Sequence, residues 1–353
     1  MSHSTLQVLL VADTHLGFDL PLHPRVDRPR RGRDFFANLR RALEPALRGE
    51  VDLVVHGGDL LFRSRVPDRL VELAMEPLIE VASAGVPVLL VPGNHERSRL
   101  PLSLWTVHPH LHIFRSPATH YFTLRGLRVA VAGFPCSRQG RVDLPALAAQ
   151  TRYRDEPANI RLLCMHQTVE GAQVGVQNYT FRSGPDVIPG RDIPGDVAAV
   201  LAGHIHRAQV LRRDLSGRPL AAPVVYPGSV ERTAFAEREE TKGYAVLELA
   251  PTSDGRGRLL AVRFVSLPTR PMVVLTAPIA DLSRDELQAV LGNRLMNLDP
   301  CSIVSIDVSG ELTPPLAEVL TASALRALAP PTMNVTIRWP REKTLNRGPC
   351  GRI

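Results

Sequence analysis

The stretch VDLVVHGGDLLF, residues 51–62, decides the fold because it joins a buried strand to a candidate metal ligand. Apart from Asp52, Val51 to Val55 is a run of aliphatic, largely β-branched residues, which is typical of a buried strand in a parallel sheet. The glycine pair at 57–58 lets the backbone turn sharply and approach a ligand closely. Asp59 follows at once, so the sequence predicts a carboxylate at the carboxyl end of a strand, where open α/β sheets bind their ligands.

A Gly-Gly-Asp sequence after a strand is by itself more often a turn than a metal site. Here, however, four other apolar runs also end in polar residues that can bind metals. Each of these residues, taken singly, has an ordinary interpretation as a turn or strand-end residue. For that interpretation to hold throughout, all five strand ends would have to carry such residues by chance, which favours a shared metal site. The candidate side chains at these five strand ends are Asp13, His15, Asp59, Asn94, His95, His166, His204 and His206.

The types of these side chains indicate which metals they suit. Carboxylate, imidazole and amide ligands together favour divalent ions such as manganese, iron or zinc. The lack of cysteine among them argues against a structural zinc site. There are too many ligands for one ion, so the sequence predicts two metals with one carboxylate between them.

The order of apolar runs predicts an α/β fold. Residues 6–91 have a β–α–β–α–β pattern, which implies a parallel sheet with right-handed crossovers. Short strand-type runs follow, interrupted by a glycine-rich loop at 171–195. A junction at Pro268 to Pro271 precedes a small α+β pattern that includes one helix at 314–327. We therefore predict domains at residues 1–268 and 269–339, followed by a disordered polar tail at 340–353.

The formal net charge of +7 comes almost entirely from arginine, because only two of the 42 basic residues are lysines, Lys242 and Lys343. Arginine codons in a GC-rich genome would explain this bias, and so would a polyanionic partner such as DNA. The loop RVDRPRRGR at 25–33 directly follows the strand that ends in Asp13 and His15. It is either an ordinary solvated surface or a contact for phosphates. The residues predicted to contact DNA are Arg28, Arg30, Arg31 and Arg33.

The remaining composition places limits on compartment and class. The four cysteines are widely spaced and form no CxxC pair, which favours a reducing, cytoplasmic compartment. Cys164 lies in an apolar strand and is expected to be an inert core thiol. We find neither a signal peptide nor an apolar run long enough to span a membrane.

The strand-end motifs resemble those of calcineurin-like metallophosphoesterases. The matching motifs are DTH at 13–15, GGD at 57–59, GNHE at 93–96, His166 and GHIH at 203–206. Longer stretches narrow the resemblance to the SbcD-type DNA repair nucleases, the meiotic-recombination-eleven family. Those stretches are HGGDLLF (56–62), LLCMHQTVEG (162–171) and YPGSVERTAFAEREETKGY (226–244).

The resemblance covers residues 5–250, and the unit at 270–338 is similar to the family's capping domain in element order and position. It implies an α+β sandwich of two β-sheets flanked by helices, with a small α+β capping domain. It also implies a manganese-dependent nuclease of double-strand-break repair, a 3′→5′ exonuclease on duplex ends and an endonuclease on single strands.

The family pattern also implies a role for each motif residue. It places one metal on Asp13, His15, Asp59 and His206, and a second on Asp59, Asn94, His166 and His204. His95 is then a non-ligand that stabilises the transition state or protonates the leaving oxygen. Glu96 stands where the family often has Asp, which we interpret as a conservative change outside the metal ligands.

Two other functions stay open on the sequence. One is a phosphodiesterase or phosphatase for small molecules, and the other is a non-catalytic subunit that binds DNA ends. The family often continues past the cap into a segment that binds an SbcC-type ABC ATPase. Here only a polar tail follows the cap, which leaves binding of that ATPase open.

We also predict a homodimer, because RLPLSLWTVH follows the GNHE motif and is rich in apolar residues. Exposed patches of this kind mark interfaces more often than free surfaces. The alternative is that they pack beneath the cap. The expected interface residues are Leu100, Leu102, Leu104 and Trp105, with the helix around residues 70–79. Among the histidines outside the motifs, His56 is expected to be structural, and His108, His110 and His112 to be exposed or packed.

Overall fold

The computed structural model describes residues 5–96, 108–137 and 143–339. The chain divides into two compact units, one made of Met1–Pro24 and Arg31–Thr269, the other of Arg25–Arg30 and Arg270–Ile353. The division after Thr269 lies at the predicted junction, whereas the grouping of residues 25–30 with the second unit was not predicted.

Within the described residues, the first unit contains most of the strands and three α-helices. Its helices are α1 (Gly32–Leu47), α2 (Asp68–Ser83) and α3 (Leu144–Gln150). Its strands are β1 (Leu6–Val11), β2 (Leu53–His56), β3 (Val88–Leu90), β4 (Leu111–Ile113), β5 (Ala118–Leu124), β6 (Leu127–Gly133), β7 (Ile160–His166), β8 (Thr168–Val169), β9 (Gln173–Val174), β10 (Tyr179–Thr180), β11 (Val187–Ile188), β12 (Ala199–Gly203), β13 (Gln209–Arg213), β14 (Pro219–Tyr226), β15 (Gly243–Ala250) and β16 (Arg258–Ser266).

Two six-stranded sheets make up the core of this unit. The first has the order β16-β15-β1-β2-β3-β4, and the second has the order β13-β14-β12-β7-β6-β5. Strands β1 to β4 run parallel, as do β14, β12, β7 and β6, and antiparallel strands lie at the margins. The parallel opening predicted from the sequence is therefore confirmed.

The two sheets pack face to face. Leu10 and Val55 of the first sheet share one buried cluster with Leu162, Cys164 and Val225 of the second. The other face of the first sheet is covered by α1 and α2, whose apolar residues recur at helical spacing and are buried. The two-sheet fold implied by the resemblance is thus confirmed, and Cys164 is a core thiol.

The region predicted to be a glycine-rich loop contains short paired strands. Strand β8 pairs with β11, and β9 forms an antiparallel hairpin with β10. Each of these strands has only two residues, which is too short for an alternating apolar pattern to be recognised.

The second unit has a parallel sheet with the order β17-β18-β19. Its elements are β17 (Met272–Pro278), α4 (Arg284–Met296), β18 (Ile303–Ser309), α5 (Pro314–Val319), α6 (Ala322–Leu328) and β19 (Asn334–Arg338). The single helix predicted at 314–327 is wrong, because the chain is divided at Thr321. The Thr321 side chain accepts a hydrogen bond from the backbone of Ala324 and so begins a new helix.

Over the parts of the chain that the structure describes, no helix is both long enough and apolar enough to cross a bilayer.

Candidate metal centre

The turns after β1 and β2 are held in an unusual backbone conformation. Asp13, His15 and Asp59 all have positive φ angles, of 52°, 43° and 52°, and His204 has 86°. Such angles cost non-glycine residues about 1–3 kcal/mol and persist only where the surroundings fix them. Here hydrogen bonds between the two turns do so: the Asp13 N–H donates to the Gly58 carbonyl at 2.9 Å, and the His15 N–H donates to the Asp59 carbonyl at 3.0 Å.

Two glycines permit the close approach of the motif loops. A Cβ atom on Gly58 would lie 2.3 Å from His166 Nδ1, and Gly58 also has a φ of +108°. A Cβ atom on Gly93 would lie 2.3 Å from the Asp59 carboxylate. Side chains at these two positions would therefore displace candidate ligands.

The first group of candidate ligands lies where the two sheets meet. The Nε2 atoms of His15 and His206 are 2.9 Å apart. Asp13 is close enough to both to share an ion with them. Its carboxylate also accepts the His204 N–H at 3.0 Å, which ties the turn after β1 to the turn after β12.

The second group is centred on Asn94. Its Oδ1 atom lies 2.9 Å from His166 Nε2 and 2.9 Å from His204 Nδ1. The Asp59 carboxylate lies 3.4 Å from His166 Nε2. Asp59 can share an ion with His166 and His204, and it is also within reach of His15. Asp59 thus lies between the two groups, as expected for a bridging carboxylate.

Burial and mutual charge shift the pKa values of these side chains. Burial raises the pKa of Asp13 to about 6. Burial would also raise the pKa of Asp59, but the neighbouring His166 holds it well below its usual range. Despite burial, the Asp59 charge raises the pKa of His166 to about 9. Burial and nearby histidines hold the pKa of His15 well below its usual range and lower that of His204 to about 3.

The donor set fits a pair of divalent ions. Two ligand atoms about 2.1 Å from one octahedral ion, at a right angle, lie about 3.0 Å apart. The three separations of 2.9 Å described above match this value. Two imidazoles are also oriented for coordination, because Nδ1 of His166 bonds to the Gly57 carbonyl and Nδ1 of His206 bonds to Glu237. Each bond leaves Nε2 to face the site.

His95 has a different setting from the other histidines. Its backbone N–H donates to Asp59 at 2.9 Å, and its Nδ1 bonds to the Phe62 carbonyl. Its side chain is 33% exposed, and Nε2 lies 3.7 Å from the Asp59 carboxylate. The same proximity that groups the candidate ligands also groups His95 with His15 and Asp59. Its role as a non-ligand therefore stays a prediction.

An open cavity of about 270 Å³ gives access to the centre. Its lining residues are His15, Asp59, Phe62, Asn94, His95, His204, His206 and Thr233. Most of the predicted ligands are therefore reachable by a substrate, and His95 lines the same cavity.

Glu96 does more than its sequence position indicated. It is 1% exposed, and its two carboxylate oxygens accept the backbone N–H groups of Leu61 and Gly93, each at 2.7 Å. Burial raises its pKa to about 7. Glu96 thereby joins the turn that carries Asp59 to the loop that carries Asn94.

Sequence reasoning also missed three buried residues, Glu237, Glu240 and Lys242, on the outer side of His206. All three lie inside the stretch 226–244, which was used only as evidence of family resemblance. A usable signal was present, since Lys242 is one of two lysines in a chain that otherwise uses arginine.

The predicted arginine contacts have different settings. Arg31 is 7% exposed, lies over the rings of Phe18 and Phe35, and is 3.9 Å from Glu231. This burial argues against a DNA contact for Arg31 and indicates a structural role. Arg33 is exposed, whereas Arg28 and Arg30 belong to the second unit.

Two histidines outside the motifs, His56 and His112, have structural surroundings. His56 is buried; its Nδ1 accepts the Gly58 N–H at 3.2 Å, and its Nε2 lies 3.1 Å from the Thr14 hydroxyl. His112 packs against His120, with ring centroids 4.6 Å apart. The predicted interface residues Leu100, Leu102, Leu104 and Trp105 lie outside the described residues, as does the tail at 340–353.

Comparison with known proteins finds a family model and several relatives that match this chain. The family model described as Calcineurin-like phosphoesterase matches residues 6–208. The chain is 27% identical to the DNA double-strand break repair protein Mre11 of Methanosarcina mazei, over 87% of this chain and 45% of that protein. It is 28% identical to the protein of the same name from Haloferax volcanii, over 92% of this chain and 64% of that one.

A third relative has a less specific name. The uncharacterized metallophosphoesterase YhaO of Bacillus subtilis is 27% identical, over 61% of this chain and 49% of that protein. The chain thus spans about half to two thirds of the length of these three relatives.

Proposed function

The chain belongs to the calcineurin-like phosphoesterase family, and from this premise we propose that it is a manganese-dependent DNA nuclease. The proposed activities are 3′→5′ exonuclease cleavage at duplex ends and endonuclease cleavage of single strands. The proposed process is repair of DNA double-strand breaks.

The observation that carries the proposal is the position of Asp59 between two ligand groups, one with His15 and the other with His166 and His204. When bound, two divalent ions in such a centre supply Lewis-acid activation of water and of phosphoryl oxygens. The protein's own contribution is to hold these ligands at fixed separations before the ions arrive. The hydrogen-bonded turns around Asp13 and Asp59 provide that rigidity.

His95 is the proposed general acid. With Nδ1 held by the Phe62 carbonyl, Nε2 is the ring nitrogen left to face the cavity. A protonated Nε2 would donate to the leaving 3′-oxygen as negative charge develops there. Partial exposure suits this role, because the proton must be replaced from solvent after each turnover.

A nucleic-acid substrate is favoured over a small molecule by the surroundings of the cavity and by the relatives. Arg63 and Arg65 are exposed and follow Phe62, a cavity-lining residue, while Arg207 follows the candidate ligand His206. Arginine around an open site attracts the phosphates of a polymer. Relatives that cover most of this chain carry the name of a DNA double-strand break repair protein.

The test compares two substrates under the same conditions: end-labelled duplex DNA and a small chromogenic phosphodiester, each with Mn²⁺ and with a chelator. Cleavage of both only with Mn²⁺ is expected. Cleavage of the diester alone would instead indicate a small-molecule phosphodiesterase. Tight binding of DNA ends with no cleavage of either substrate would indicate a non-catalytic end-binding subunit.

We extend the proposal to a cytoplasmic homodimer that contacts DNA, with binding of an SbcC-type ATPase left open. Light scattering of the chain, alone and as Leu104→Glu, tests the dimer. A monomer at micromolar concentration for the unmodified chain would contradict it, and a dimer that persists in Leu104→Glu would move the interface elsewhere.

A further inference from the structure

We propose that Lys242 and Glu237 are positioning residues that orient the candidate ligand His206 and set the affinity of one of the two metal ions. The inference rests on the two-metal function proposed above. It concerns two buried residues that do not line the cavity and that act on the centre through His206.

Each of the three N–H donors of the Lys242 ammonium group has an acceptor. Its side chain is fully buried, and Nζ lies 2.7 Å from Glu237, 2.9 Å from Glu240 and 3.0 Å from the backbone carbonyl of His206. An ammonium group has three N–H donors, and these are three acceptors. Lys242 therefore connects two buried carboxylates directly to the backbone of His206.

Glu237 connects the same network to the side chain of His206. One carboxylate oxygen accepts the His206 Nδ1–H at 3.1 Å and the Thr233 hydroxyl at 2.7 Å, and the other faces Lys242. A carboxylate on the outer nitrogen of a ligating imidazole fixes its tautomer and increases its basicity. Glu237 thus leaves the His206 Nε2 lone pair directed at the site, where it faces His15.

The choice of lysine has a geometric reason. A guanidinium is a planar fork that pairs best with coplanar acceptors, whereas an ammonium is compact and its three donors are spread in three dimensions. The acceptors around Lys242 come from two different side chains and one carbonyl. This arrangement explains a lysine here in a chain whose basic residues are almost all arginine.

The network continues away from the metal centre. The second oxygen of Glu240 accepts the backbone N–H of Gly175 at 3.0 Å, in the turn between β9 and β10. Lys242 therefore also joins this hairpin to the segment that carries His206. Loss of Lys242 should loosen both connections together.

The experiment measures Mn²⁺ binding rather than turnover, using the electron paramagnetic resonance signal of free Mn²⁺ during titration of the full chain. In Glu237→Gln and Lys242→Met, one of two ions should bind about 10–100-fold more weakly, the usual effect of removing a partner of a metal ligand. The other ion should keep its wild-type affinity. Lys242→Arg should resemble Lys242→Met, because its fork does not match the three acceptors.

Two variants guard against general damage. Asp196→Asn alters another carboxylate, which bonds to Tyr153 and Arg154 and to no candidate ligand, so both ions should still bind. If Lys242→Met does not fold because two buried carboxylates are left facing each other, Lys242→Met/Glu240→Gln removes one of those charges. In this double variant, one of the two ions should show the same loss of affinity as expected for Lys242→Met.

Each result is decisive. Wild-type affinity for both ions in folded Glu237→Gln and in a folded Lys242 variant would overturn the inference alone. Full affinity in Lys242→Arg would overturn the role of the three-acceptor geometry. A wild-type chain that binds no Mn²⁺ would overturn the two-metal function and this inference with it.

Discussion

The Nε2 atoms of His15 and His206 face each other at 2.9 Å, although 191 positions separate the two residues in the sequence. His15 follows β1 of the first sheet, and His206 follows β12 of the second. The metal centre is therefore built across the line where the carboxyl ends of two sheets meet. The two sheets both contribute ligands, because the His15–His206 pair and the Asn94–His204 pair each join a residue of one sheet to a residue of the other.

Asp59→Asn should lower Mn²⁺-dependent cleavage by several orders of magnitude. An amide of the same shape lacks the negative charge needed between two cations. Steady-state cleavage of labelled DNA measures the loss, and circular dichroism checks that the fold is retained. Near-wild-type cleavage by a well-folded variant would refute the bridging role of Asp59.

His95→Gln should separate metal binding from chemistry. Both ions should still bind, while turnover falls by about 10²–10⁴, the usual contribution of a general acid. Metal counting by anomalous scattering or equilibrium dialysis, paired with single-turnover cleavage, measures the two effects. Loss of an ion in this variant would place His95 among the ligands and contradict the assignment.

Neutralising Arg28, Arg30 and Arg33 together should weaken DNA binding and flatten its salt dependence. Each phosphate contact releases counterions, so the slope of log affinity against log salt falls with every contact removed. Hydrolysis of a small diester should barely change. An unchanged salt slope would return these arginines to an ordinary solvated surface.

Arg31→Ala is the matched comparison, because its side chain is buried against Phe18, Phe35 and Glu231. It should lower the free energy of unfolding by about 3–5 kcal/mol, since it removes a cation beside the buried carboxylate of Glu231. The salt slope of DNA binding should stay as in the wild type. Urea unfolding measures the first effect, and a reduced slope would restore Arg31 to the DNA contacts.

His120 should contribute a measurable acid sensitivity. Burial, and then the neighbouring His112, lower its pKa from 6.5 to about 4. Below about pH 6.5, His120 is therefore protonated in the unfolded chain but stays neutral in the folded chain. The free energy of unfolding consequently decreases as the pH falls from about 6.5 to 4. His120→Gln removes this contribution, so its free energy of unfolding should fall less than that of the wild type over this range.

Urea unfolding at several pH values, with a chelator present throughout, measures the difference between the two proteins. His23→Gln is the control because His23 is exposed, and it should follow the wild type. Parallel pH dependence of wild type and His120→Gln would show that the contacts of His120 do not hold its pKa down.

The sequence indicated the candidate metal ligands because polar residues that can bind metals directly follow the apolar strands. An apolar run that ends in a carboxylate or imidazole, often after a glycine, predicts that this side chain lies at a sheet edge, and this pattern indicated Asp13, Asp59 and His204. It also predicted the parallel order of β1, β2 and β3, because helical patterns separate those strands. These features depend on neighbours within a few residues, which a sequence displays directly.

Only the tertiary structure decided what depends on distant neighbours. The positive φ angles of Asp13 and Asp59 are fixed by hydrogen bonds between two turns, and a carboxylate residue gives no sign of them in advance. Burial divided similar arginines into structural and exposed ones, with Arg31 inside and Arg33 outside. Lys242 is an ordinary charged residue in the sequence, and it becomes part of the metal centre because folding surrounds it with Glu237, Glu240 and the carbonyl of His206.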